Sequence, residues 1–176
     1  MISQIIKSFI KAKKPAIQPD PMAWCKQTYR VWPHQIDYNL HLNNAKYLTL
    51  LEHARWNHFI DIGKFKPMFD QRLNVVIAAL EISFIRELGL FTKFEIHSRF
   101  VTWDEKYMYI EQRLIVKGKL YGHVTVKLAG VRKGKRVMPE QICEVLGIDY
   151  ALGTPVPYIE NWAEMSQAKR DYTSES

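Results

Sequence analysis

Residues 43 to 60 carry a helical pattern with too little polar surface for a helix lying open to water. Lys46, Thr49, His53 and Asn57 recur at i, i+3, i+7 and i+11 and define one narrow polar stripe. Most other positions are bulky and apolar: Leu48, Leu50, Leu51, Ala54, Trp56, Phe59 and Ile60. A helix of this kind is expected to be largely enclosed, so the rest of the chain has to supply the enclosing surface. Gly63 stops it.

The remaining segments read mainly as strands. Before the helix, Thr28, Tyr29, Val31 and Trp32 form a short β-like run that Pro33 interrupts, as in an edge strand or strand end. After it, residues 74 to 86 are rich in β-branched and aromatic side chains, and residues 91 to 103 mix apolar and polar positions. Trp103-Asp104-Glu105-Lys106 reads as a turn into a strand over 107 to 117, and Gly118 sits in a tight Lys-Gly-Lys connection. In the last strand Leu120, Gly122, Val124, Val126 and Leu128 alternate with Lys119, Tyr121, His123, Thr125 and Lys127. A short helix over 139 to 146 ends at Gly147, and Thr154-Pro155-Val156-Pro157 is extended. One strand, one long helix and then four strands is an α+β order, a sheet wrapped around a single helix.

At 176 residues the chain fits one domain with room for a proper core, and 47% apolar residues make the body globular. We divide it into a basic N-terminal segment (1–20), the α+β domain (21–159) and a polar C-terminal tail (160–176) that is expected to be mobile at its tip. The formal charge of +7 is unevenly spread: Lys7, Lys11, Lys13 and Lys14 supply four of those charges before the first acidic residue, Asp20. The rest is ordinary for a soluble domain and suits an anionic substrate. No nucleic-acid-binding pattern is evident. In the basic segment Ile2, Ile5, Ile6, Phe9 and Ile10 fall at helical spacing, which gives residues 1–14 a possible peripheral membrane contact. No apolar run approaches the ~20 residues that span a bilayer. Cys25 and Cys143 lie far apart, no secretory signal is visible, and a reduced, cytoplasmic compartment is the simpler expectation. No metal or cofactor is implied.

The chemistry concentrates just ahead of the long helix, in Asp37-Tyr38-Asn39-Leu40-His41-Leu42-Asn43-Asn44-Ala45-Lys46-Tyr47. Asp37, Asn39 and His41 are spaced by two, so in an extended segment they share a face. Asn43 and Asn44 stand at the helix start, where Asn caps and open backbone N–H groups can stabilise an acyl oxygen. A helix cap with turn-forming Asp and Asn accounts for one or two of these residues, not all five.

The spelling D-x-N-x-H-x-N-N-A-K-Y resembles the active-site motif of hotdog-fold thioesterases. It is closest to the plant acyl-carrier-protein thioesterases, with D-x-N-x-H-x-N-N-x-K-Y. The wider 4-hydroxybenzoyl-CoA thioesterase-like group reads D-x-x-G-H-x-N-N-x-x-Y, which Asp37, His41, Asn43, Asn44 and Tyr47 match and Leu40 departs from. Leu80 to Gly89 looks like the second strand of that family, and the animal thioesterase-superfamily-member proteins share a similar motif and a later W-D turn. The resemblance covers roughly residues 26 to 132. It implies a hotdog fold, catalytic roles for Asp37, Asn39 and His41, and substrate binding at Asn43 and Asn44. It also implies an acyl-CoA or acyl carrier protein substrate and a homodimer or homotetramer with sites between protomers.

Hydrolysis of an acyl thioester, with Asp37 as base or nucleophile, is therefore the expected reaction. No G-x-S-x-G elbow is present to support a serine mechanism. A hotdog enoyl-CoA hydratase is the alternative, but its D-x-N-P-x-H places the imidazole one residue later and adds a proline. A non-catalytic acyl-CoA or lipid binder is the third reading. Glu52 reads as structural and Glu87 as a solvated strand-end charge. His34, His53, His58, His97 and His123 show no metal-binding spacing.

Overall fold

The computed structural model describes residues 16–174, so the membrane-contact expectation for residues 1–14 lies outside the described residues. In chain order the elements are β1 (Cys25–Arg30), α1 (Asn44–Asp61), α2 (Phe65–Asp70), β2 (Asn74–Phe84), β3 (Lys93–Trp103), β4 (Met108–Val116), β5 (Lys119–Arg132), β6 (Lys135–Val137), α3 (Pro139–Leu146) and α4 (Pro157–Ser174). The strands form one antiparallel sheet in the order β1-β3-β4-β5-β2, with β6 paired to β5. The fold is α+β, an antiparallel sheet curled against one long helix. The β4–β5 connection is a tight hairpin whose Lys117 and Gly118 both have positive φ (46° and 77°), the geometry that matches strand twist.

The main core lies between α1 and the concave face of the sheet. Leu51 and Ala54 of α1 are sealed against Ile96, Phe100, Ile110, Leu114, Val124 and Val126. The helix is less enclosed than its sequence pattern suggests: nine of its eighteen residues are buried, while Leu48 and Trp56 stay exposed. One chain's sheet curls around only one side of the helix, and that side also takes in polar groups. Arg55 donates to Gln112 Oε1 (2.9 Å), and Gln112 Nε2 donates to the Leu51 carbonyl (3.1 Å) and Ser98 Oγ (3.0 Å). His58 is completely buried between Phe59 and Phe100, and desolvation pushes its imidazole down to about 4, so it is neutral at physiological pH.

The C-terminal region is more structured than a polar tail. Where the sequence reading had an extended Thr-Pro-Val-Pro followed by tail, Pro157 opens the 18-residue helix α4, and Ile159 and Trp162 are buried. They pack with Val101 and Tyr109, whose strand neighbours Phe100, Met108 and Ile110 face the main core. Helix α4 therefore covers part of the opposite, convex face of the sheet.

The Trp103-Asp104 turn ties this region down. Asp104 Oδ1 accepts from the backbone N–H groups of Lys106 (2.6 Å) and Tyr107 (2.7 Å), and Tyr109 donates its hydroxyl to Oδ2 (2.6 Å). The Trp103 indole N–H donates to the Tyr150 carbonyl (3.0 Å), and Gly153 packs so closely that a Cβ there would stand 2.2 Å from Trp103 Nε1. Since Trp103 is buried and cannot swing away, Gly153→Ala is expected to destabilise the protein by about 1–3 kcal/mol, measured by urea unfolding. An unchanged midpoint would show that the indole has room to move.

Candidate functional site

The segment before α1 is a tight loop, not the extended run expected from the alternation of Asp37, Asn39 and His41. The Leu40 N–H returns to the Asp37 carbonyl (3.0 Å), and the Asp37 N–H donates to the His41 carbonyl (3.0 Å). Leu40 closes the turn with φ at 62°. The three residues therefore do not line one strand face. Asp37 and His41 instead lie opposite each other across the mouth of the loop, and Asn39 is exposed at its tip. The Asn39 backbone N–H donates to Asp37 Oδ1 (2.9 Å), fixing the carboxylate by an Asx turn.

Leu40 occupies the position at which the resembling family carries glycine. The left-handed conformation is kept with a leucine that is 64% exposed and packs little. Leu40→Gly should then stabilise the protein by about 0.5–1 kcal/mol, the relief of left-handed strain exceeding the added chain entropy. A lower thermal midpoint in the variant would refute this.

The loop is held against the connection that follows β2. His41 pairs with Gly89, and the Leu42 N–H donates to the Leu88 carbonyl (2.8 Å). This brings Glu87 to His41, with Oε2 3.1 Å from Nε2. Glu87 is indeed solvated, its side chain 74% exposed, but it also contacts the imidazole, which a strand-end charge in the sequence does not reveal. Tyr47, the last motif residue, is buried edge-on to Phe84 with ring centroids 5.0 Å apart. Burial pushes its phenol up to about 12, with Glu87's charge adding to the rise and a Leu88 backbone hydrogen bond opposing it, so Tyr47 stays protonated.

The helix start separates the roles of the two asparagines. Asn43 is the N-cap: its Oδ1 accepts from the Ala45 N–H (2.9 Å), and its own N–H goes to the Gln35 carbonyl (2.9 Å). The Lys46 and Tyr47 N–H groups both return to the Asn43 carbonyl. Among the described residues, the Asn44 N–H is the first-turn donor left without an acceptor, at the positive end of an 18-residue helix. Sequence reasoning treated Asn43 and Asn44 as equivalent. The geometry makes Asn43 the builder of the helix end and Asn44 the open donor.

A carboxylate held in a loop, an imidazole across its mouth and an open helix-start N–H suit reactions that develop negative charge on a carbonyl oxygen. Comparison with known proteins agrees with this. Residues 31–158 match the family model described as the thioesterase-like superfamily. A relative named Protein THEM6 from Danio rerio is 35% identical over 117 residues, which are 66% of this chain and 57% of that protein. The chain spans about half the length of the curated relatives it matches. Among solved structures, the probable thioesterase YbaW from Escherichia coli aligns with a TM-score of 0.65 at 21% identity, over 73% of this chain and 98% of YbaW. The protein SAV2348 from Staphylococcus aureus, described in complex with CoA, aligns with a TM-score of 0.60 at 18% identity, over 78% of this chain and 89% of that one. The motif, the curled sheet and the matched span agree: this chain belongs to the thioesterase-like superfamily and has the hotdog fold.

Proposed function

We propose that the protein hydrolyses the thioester of an acyl-CoA, with Asp37 supplying the reacting electron pair. The observation that carries this reading is the Asp37–His41 loop docked at the start of α1, where the Asn44 N–H remains open. The substrate carbonyl oxygen accepts from that N–H, so charge developing on it meets the positive helix end. Asp37 either removes a proton from water as the water oxygen bonds the carbonyl carbon, or bonds that carbon itself and is released by water. In both cases the C–S bond breaks and the departing CoA thiolate takes up a proton. His41, whose ring contacts Glu87, passes that proton. The CoA described with the S. aureus protein SAV2348 favours CoA over a protein carrier, while the basic charge of the chain suits either anionic partner.

The test is thiol release from short, long and aromatic acyl-CoAs, with crotonyl-CoA hydration measured beside it. Thioester cleavage without hydration supports the proposal, and hydration alone replaces it with the hydratase reading. Label found in the Asp37 carboxylate after a single turnover in H₂¹⁸O would identify Asp37 as the attacking group, because water must then have opened an acyl-aspartyl anhydride at the aspartyl carbonyl.

The assembly proposed with this function is a homodimer formed through β2. That strand is eleven residues long, lies at the sheet edge, and exposes Val76, Ile77 and Phe84, with Ile85 just beyond. A long apolar edge is a pairing surface that monomeric proteins avoid. The expected light-scattering mass is that of two chains, and Val76→Lys with Ile77→Lys should reduce it to one. A single-chain mass for the unaltered protein would refute the dimer.

A further inference from the structure

The face of the sheet opposite α1 carries a second cluster that the proposed hydrolysis does not use. Glu111 of β4 is 2% exposed and is gripped from three sides. Arg99 donates to Oε2 from Nε (3.2 Å) and Nη2 (2.9 Å), and Arg113 donates to Oε1 from Nε (2.6 Å). His123 Nε2 lies 3.0 Å from Oε1. Cross-strand register assembles the group: Arg99 stands opposite Glu111, and Arg113 opposite His123.

Two features exceed what a closed ion network requires. First, two guanidinium groups face one carboxylate, which leaves surplus positive charge. Their planes are held by Trp24, whose ring centre is 4.4 Å from the Arg99 guanidinium carbon and 4.7 Å from that of Arg113. Among the described residues, Arg99 Nη1 and both terminal nitrogens of Arg113 take no protein acceptor. Second, the cluster borders a cavity of about 460 Å³. Val101 and Val156 give that cavity an apolar side, and Tyr158 closes it at the start of α4. The segment over the cavity is anchored by Thr102, whose hydroxyl donates to the Thr154 carbonyl (2.7 Å).

We propose that this cavity binds a small amphiphilic oxyanion, a carboxylate or phosphate monoester on a short apolar body, with Arg99 and Arg113 holding the head group. Arginine suits this role because its free edge pairs with two oxygens at once while its face stays stacked. The volume lies within the range of small-molecule sites, and its mix of apolar wall and a few fixed polar groups is their usual chemistry. None of the residues lining this cavity belongs to the Asp37 loop or the start of α1, so the ligand and the thioester would occupy different sites.

The test is calorimetric titration of the full chain with hexyl phosphate, hexanoate, inorganic phosphate and 1-hexanol. Saturable binding of hexyl phosphate or hexanoate is expected, at least tenfold tighter than 1-hexanol or inorganic phosphate, and the tighter hexyl anion identifies the head group. Arg113→Gln, which removes free donors, and Thr154→Trp, which fills the cavity, should each weaken binding at least tenfold. Asp37→Asn should leave it unchanged. The proposal is overturned if neither hexyl anion binds, or if 1-hexanol binds as tightly as the anions. Full affinity in Thr154→Trp, or loss of binding in Asp37→Asn, would overturn it as well. Arg113 also supports Glu111, but the comparison of hexyl phosphate with 1-hexanol uses the unaltered chain and stands even where that variant does not fold.

Discussion

Asp37→Asn should lower the turnover of a cleaved acyl-CoA by about 10²–10⁴, the range for removal of a positioned general base. The substitution keeps the size of the side chain and an oxygen that can still accept from the Asn39 N–H, so the loop and its turn should survive. What is lost is the basicity, or nucleophilicity, of the carboxylate. Bound substrate should be affected much less, because the Asn44 N–H and the helix end remain in place. The expected pattern is a fall in kcat with little change in KM, read from thiol release. Turnover within a factor of two of the unaltered protein would remove Asp37 from the mechanism. His41→Ala should fall less far, since water can replace a proton carrier more easily than it can replace the attacking group.

Glu111→Gln should cost roughly 3 kcal/mol of stability at neutral pH, and the cost should disappear in acid. Burial works against a charged Glu111, but His123, Arg99 and Arg113 overcome it and hold the carboxyl down at about 2, against an ordinary 4.5. A depressed carboxyl binds protons more weakly folded than unfolded, so its stabilisation is complete above pH ~4.5 and is lost as pH falls toward 2. The displacement corresponds to roughly 3 kcal/mol, in line with the loss on breaking a buried ion pair. Urea unfolding of both proteins between pH 7 and pH 3 checks this, and a gap that stays constant with pH would refute it. His58 acts in a higher window. Its depressed imidazole makes the folded protein lose stability as pH falls from 6.5 toward 4, and it does so in both proteins, leaving their difference untouched.

Local patterns carried the fold well. The α1 periodicity, the alternation in β5, the Lys-Gly-Lys hairpin and the helix ended by Gly147 are short-range signals, and the structure repeats each of them. The motif residues were legible too, and the loop places Asp37 and His41 together with the start of α1. Their geometry was not legible, because spacing by two implies a shared face only in an extended chain. Leu40 in the left-handed region turns that chain back on itself. Helix α4 was missed because Ile159 and Trp162 are thinly spread among polar neighbours, although Pro157 at its first position was an available start signal. The contact of Glu87 with His41 and the cluster around Glu111 depend on strand register between distant segments. No local spacing encodes that register. Arg55 and His58 escaped for a similar reason, since polar residues within an apolar helix look like its solvated side until the sheet is in place.

Helix α4 also bears on how copies of this chain can meet. A curled sheet has two surfaces through which identical molecules commonly join, its free edge and its convex back. Here the chain lays its own C-terminal helix over part of the back, burying Ile159 and Trp162 there, while the edge at β2 stays bare and apolar. In the proposed dimer, self-association would run sideways through β2 into a continuous sheet, and stacking of pairs through the convex back would meet a segment each molecule already carries. Shortening the chain ahead of Pro157 would uncover Val101 and Tyr109 and give the back of the sheet an adhesive patch, so removing the helix should enlarge the assembly.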